Sequence, residues 1–188
     1  MNKALTTTIL TLIIAISFVS GTNWTQYDTI WDDYSTYSGE QQNEYLTQTR
    51  PFQTNALMKR WCKSLKDDDV SKTIEQTLNF VSNTIDYDTS NKWHNDAKTT
   101  FTHMAGVCED HANVLIALLR CQGIPSRKVE GQIIPLLYYM RYPYNEIWTT
   151  KHAWVEVAMP VLESYIVWYP IDTQNLYGTI KKTKVIQK

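Results

Sequence analysis

Residues Gly106 to Arg127 read GVCEDHANVLIALLRCQGIPSR, and the fold turns on what a glycine and a lone thiol do at the start of that stretch. From Cys108 onward, Ala112, Leu115, Ile116 and Leu119 recur at the three- and four-residue spacing of an amphipathic helix. Gly123 and Pro125 then end it in the usual order. Cys108 therefore falls in the first turn of a core helix. A thiol there faces backbone N–H groups that have no acceptor within the helix, and it faces the positive end of the dipole. Both favour thiolate over thiol. The same N–H groups can hold an oxyanion when sulfur attacks a carbonyl. Gly106, just ahead, lets the chain turn sharply and leaves space for a substrate. On its own, a cysteine so placed is more often a packing residue, so the rest of the chain has to decide.

Downstream, RKVEGQII reads as a strand and HAWVEVAM as a second, with the long aromatic connection PLLYYMRYPYNEIWTTK between them. SYIVWYP is a third strand, and Ile171-Asp172 lies just beyond it. Upstream, Val70, Ile74, Leu78, Val81 and Ile85 form one helical stripe, preceded by the cap-rich turn KDDD and ended by DYDTSN. Ala56 to Leu65 predicts a shorter helix, and the polar stretch Ser90 to Met104, carrying Trp93, His94, Phe101 and His103, a loop or broken helix. Trp24, Tyr27, Trp31, Tyr34 and Tyr37 have the spacing of an aromatic stripe along one helix face. Helices come first and strands after, with no βαβ alternation, which predicts an α+β fold built on an antiparallel sheet.

A thiol nucleophile needs a base, and the base needs a group to orient it. His152 begins one strand and Asp172 sits just past the next. Antiparallel neighbours set the start of one strand beside the end of the other, so the two side chains would meet. His111, one turn beyond Cys108, is the rival base, but a histidine on the same helix is held alongside the thiol rather than across a cleft from it. His94 and His103 read as loop residues, and Trp154 and Trp168 as core. Arg127 reads as the partner of a carboxylate, and Glu109 and Asp110 as first-turn carboxylates that favour the dipole. Zinc on Cys108, His111 and Cys121 fails on spacing, because Cys121 lies more than three turns along; no metal site is expected.

The chain has 188 residues, enough for one domain with an N-terminal extension. Its 18 Lys and Arg against 19 Asp and Glu leave no basic block for nucleic acid. Seven tryptophans and 12 tyrosines suit either a tight core or a surface that holds peptides or sugars. MNKALTTTILTLIIAISFVSG has the layout of a secretory signal, so residues 1–21 read as a cleaved signal or an uncleaved anchor. Residues 22–69 then read as a helical extension, and 70–188 as the main domain of a secreted or extracytoplasmic protein. Three cysteines are an odd number for an exported chain. Either Cys62 pairs with Cys121 and leaves Cys108 free, or the first two are buried thiols.

GVCEDHANVLIALLRCQGIPSRKVEG, HAWVEV and WYPID resemble, in order, the three core motifs of the transglutaminase-like superfamily, and FVSNTIDYD resembles the helix ahead of that core. The resemblance implies a papain-like α+β core in which the nucleophile helix packs on an antiparallel sheet. It implies Cys108 as nucleophile, with its own N–H in the oxyanion hole, His152 as base and Asp172 as orienting acid. Members add an upstream side-chain donor to the oxyanion hole, for which Trp93 is the candidate here, with Gly106 beside the substrate. The implied activity is thiol-dependent acyl transfer on peptide or glutamine-type amide bonds, without a cofactor, hydrolysis being favoured over cross-linking. The implied partner is a protein or peptide substrate, and the uncleaved form of the N-terminal segment would add a membrane tether. The alternative is a non-catalytic descendant that binds peptides or glycans.

Overall fold

A computed structural model of the chain describes residues 44–90, 96–135, 150–162, 165–174 and 178–186. The N-terminal apolar run, the aromatic stripe of 24–37, Trp93, His94 and the connection 136–149 lie outside the described residues. Among the described residues no helix is long and apolar enough to cross a membrane.

The helical half consists of α1 (Ala56–Ser64), α2 (Val70–Thr84), α3 (Ala97–His103) and α4 (Cys108–Cys121). The first three start on side-chain caps. Asn55 accepts from the Met58 N–H, Asp69 from Ser71 and Asp96 from Thr99, at 2.8, 2.8 and 2.9 Å. These bonds satisfy donors that the first helical turn leaves open. The cap-rich turn before Val70 thus supplies its last aspartate. The stretch 96–103, read as loop or broken helix, resolves into the short α3, which buries Ala97, Thr100 and Phe101.

Helix α4 is buried all round, not on one stripe alone: every residue from Asp110 to Arg120 is buried. It packs against α1, α2 and α3 on the helical side and against the sheet on the other, an enclosure that a helix tolerates only when its polar side chains find partners. Arg120 is one case, giving its guanidinium to the Ser126 carbonyl at 2.7 and 3.1 Å while lying 4.6 Å over the Phe52 ring. A disulfide joins Cys62 on α1 to Cys121 at the C-terminal end of α4, with Cα atoms 6.1 Å apart. Of the two sequence readings, the pairing is therefore the one the fold adopts. Gly123, at φ 87°, makes the left-handed turn out of the helix that side chains resist.

Four strands form the main sheet: β3 (Ser126–Pro135), β4 (Thr150–Leu162), β5 (Tyr165–Ile171) and β6 (Gly178–Ile186), in the order β5-β4-β3-β6 and antiparallel throughout. Val155, Val157 and Ile171 carry the sheet into the same core as α4, to which Phe52, Met58 and Cys62 also belong. Beyond the α+β plan lies one small parallel unit. Asp86–Tyr87 (β1) pairs with Ala105–Gly106 (β2), α3 crossing between them, so the chain does contain one short strand-helix-strand step.

Candidate active site

Three elements deliver three side chains to one end of the sheet. Cys108 is the first residue of α4 and is half-buried. Asp110 accepts from the Val107 N–H at 3.0 Å, which fixes the first turn and brings the side chain close under Gly106. A Cβ added at Gly106 would stand 2.5 Å from the Asp110 Cβ, so glycine is there for the close approach. Glu109, read as a first-turn carboxylate, has a more specific partner: the buried Lys128 ammonium on β3 lies 2.7 Å away.

His152 is on β4. The β4–β5 ladder sets Val155 opposite Ile171, and one residue further along it Asp172 comes opposite Trp154. On a shared face that makes His152 its diagonal neighbour, within reach of a long side chain. The ring Nε2 and the Asp172 Oδ2 are 2.7 Å apart, and both side chains are almost wholly buried. Asp172 is held in turn by the Gln174 N–H at 3.1 Å, and the Trp154 ring stacks beside the imidazole at 6.2 Å.

Burial alone would lower the His152 pKa. Hydrogen bonds to Asp172 and to Cys108, with the negative charge of both, overcome it and raise the pKa to about 9. Because Asp172 occupies Nε2, Nδ1 is the nitrogen left for the thiol. The ring is thus a cation near neutral pH, bonded to Asp172 on one side and to the Cys108 sulfur on the other.

His111 sits elsewhere. It is buried, its pKa is lowered by that burial, and its Nε2 faces the Asp86 carbonyl at 3.4 Å. The Gly106 backbone is a second hydrogen-bonding partner of the ring. Of the two histidines, His152 is the one brought to Cys108 and Asp172. The zinc trio is broken because Cys121 is spent in the disulfide. Arg127 pairs with Glu156 at 2.7 Å and lies 4.1 Å over the Trp168 ring, and Trp154 and Trp168 are buried. His103 is exposed.

Sequence reasoning passed over Tyr87. Its phenol pKa is raised by partial burial and then by the charges of Cys108 and Asp172. The one signal for it was its place in DYD, at the end of α2.

A family profile described as the transglutaminase-like superfamily matches residues 59–173. No curated protein matches the chain by sequence. Among solved structures, a candidate cysteine protease from Cytophaga hutchinsonii is similar at 24% identity and a TM-score of 0.60, over 86% of this chain and 51% of that one. The periplasmic domain of TgpA from Pseudomonas aeruginosa is similar at 20% identity and a TM-score of 0.56, over 73% of this chain and 48% of that one. Its ethylmercury-bound form is similar at 19% identity and a TM-score of 0.55, over 74% and 50%. The chain spans about half the length of the solved structures it matches.

Proposed function

The chain belongs to the transglutaminase-like superfamily, and from that premise we propose that it is an exported cysteine enzyme that transfers acyl groups from peptide or glutamine-type amides. Cys108, as thiolate, attacks the amide carbonyl. The developing oxyanion takes the Cys108 N–H and its neighbours in the first turn of α4. His152 hands its proton to the departing nitrogen, the C–N bond breaks, and a thioester remains on Cys108. Asp172 keeps the imidazole turned toward the sulfur and charged until that moment. Water, activated by the now neutral His152, adds to the thioester, and the acid leaves with the thiolate restored. Hydrolysis is preferred to cross-linking because water needs no binding site of its own, whereas an amine does.

One observation carries this reading: a buried imidazole bonded to Asp172 at 2.7 Å, with a free thiol at a helix N-terminus as its other partner. Export is supported by the Cys62–Cys121 disulfide, a bond of oxidising compartments, and by the periplasmic setting of the TgpA domains.

The test is the rate of iodoacetamide labelling against pH, read by intact mass, with Cys108→Ala and His152→Ala alongside. Rapid labelling well below pH 8 that vanishes with the first variant and slows with the second supports the enzyme. A Cys108 that stays inert until the protein unfolds sinks it, and leaves a binding module of the same fold.

A further inference from the structure

Strand β1 carries one pair of backbone groups that take no partner among the described residues. The Asp86 N–H donates to the Met104 carbonyl at 2.8 Å and the Asp88 N–H to the Gly106 carbonyl at 3.0 Å. In an extended chain, successive residues aim these groups to opposite sides. Asp86 and Asp88 therefore face β2, and the N–H and C=O of Tyr87 between them face away. No described residue takes either group.

Strand β1 stands one strand spacing, ~4.8 Å, from Gly106, its partner in the register, so a chain paired on the outer edge lies two spacings, ~9.6 Å, from Gly106, which is two residues ahead of Cys108. The Tyr87 side chain is 54% exposed, and its ring lies 6.0 Å from the His111 ring beneath it. Unpaired strand edges are templates for extended chains, which bind them by main-chain hydrogen bonds whatever the sequence.

We propose that β1 is the subsite for the acyl portion of a peptide substrate, which lies extended along the edge and exchanges hydrogen bonds with the N–H and C=O of Tyr87. The Tyr87 ring, seated on His111, covers the adjoining substrate side chain. The acyl portion is the part assigned here because it stays on the sulfur through both halves of the reaction. Strand β1 is bonded to β2, which runs straight into Cys108, so the edge stays in register with the thiol. Main-chain pairing selects an unfolded or loop segment of a protein over a small free amide. The inference deepens the acyl-transfer reading and rests on it.

Two probes with one warhead test it on the purified chain: acetyl-trialanyl chloromethyl ketone, and the same compound N-methylated at its middle alanine. The parent should alkylate Cys108 about fivefold faster, the worth of one hydrogen bond. Tyr87→Ala removes the ring and keeps the N–H. Tyr87→Pro removes both, at a position where no ladder bond is lost. The proline variant should react with the parent probe about fivefold more slowly than the alanine variant, with iodoacetamide rates equal within twofold. Equal rates for the two probes on the native protein, or for the two variants with the parent probe, overturn the subsite. A native Cys108 slow toward iodoacetamide itself overturns the enzyme reading first, and the subsite with it.

Discussion

Replacing Asp172 with asparagine keeps the shape of the side chain and takes away its charge, which isolates what that charge does. Burial works against a charged His152, and the bonds and charges of Asp172 and Cys108 lift it to about 9 regardless. From an ordinary 6.5, that rise is worth on the order of 3 kcal/mol. Asp172 contributes the first and most direct of the raising interactions, at 2.7 Å in a buried pair. Without its charge, desolvation is opposed by Cys108 alone, and the imidazole returns to its ordinary range or below. On the proposed mechanism, which needs a Cys108 thiolate beside a charged ring, the neutral ring no longer favours ionised sulfur. A free thiol near 8.5 is only about 1% ionised at pH 6.5, so a thiolate that depends on the charged ring should label there up to about 100-fold more slowly once the ring is neutral. The assay is iodoacetamide labelling between pH 5 and 9, with the signal of Cys108→Ala subtracted. Below pH 8.5 the native chain should label faster than Asp172→Asn, and the gap should widen as the pH falls. Superposable curves would refute the argument, because the carboxylate would then not be what holds the ring charged.

The same raised pKa sets the alkaline behaviour: hydrolysis of an amide should decline above about pH 9, as His152 loses the proton the leaving nitrogen needs, while alkylation of Cys108 does not decline. A histidine raised on folding contributes stability that is complete below 6.5 and lost as pH rises through about 9, so melting temperature should fall over that window, and less so in Asp172→Asn. Gly106→Ala should cost ~1–3 kcal/mol in urea unfolding and slow the labelling of Cys108, because the new methyl displaces Asp110 from the Val107 N–H. Replacing Cys62 and Cys121 by alanine opens a 59-residue link, worth ~4 kcal/mol by loop closure and thus roughly 8–16 °C of melting temperature. Labelling of Cys108 should hold, since the bond lies at the far end of α4.

Much of this site could be read from the chain because its parts are locally coded. The periodicity from Ala112 to Leu119 put Cys108 at a helix start, and the strands beginning at His152 and ending before Asp172 could bring those two together only as antiparallel neighbours. What escaped depends on partners distant in sequence. β1 and β2 have two residues each, too few for any period to register. That Tyr87 lies opposite Gly106, two residues ahead of Cys108, follows wholly from their pairing. Among the described residues β6 is a lysine-bearing edge strand paired with β3 alone, so its residues need no alternating apolar pattern to hold it there. The all-round burial of α4 was also hidden, because Asp110, His111, Asn113 and Arg120 look like a solvated face until their partners are known.

Those buried polar residues bear on how the site keeps its geometry. Thiol and imidazole sit on separate elements, so their hydrogen bond is only as steady as the docking of α4 against the sheet. Apolar contacts resist separation but permit sliding. The polar ties run in fixed directions. Glu109 in the first turn of α4 reaches Lys128 on β3, and Arg120 in its last turn reaches Ser126 at the start of the same strand. Two bonds at opposite ends of one helix, both to one strand, set its position along the axis and its rotation about it. The disulfide adds α1 to the assembly behind. β3 then passes this register to β4, where Gly131 pairs with His152. On the proposed mechanism Lys128 and Arg120 are positioning residues for Cys108 and His152 although neither touches the reacting atoms, and their burial makes those positions hard to replace by chemistry that lacks the same reach.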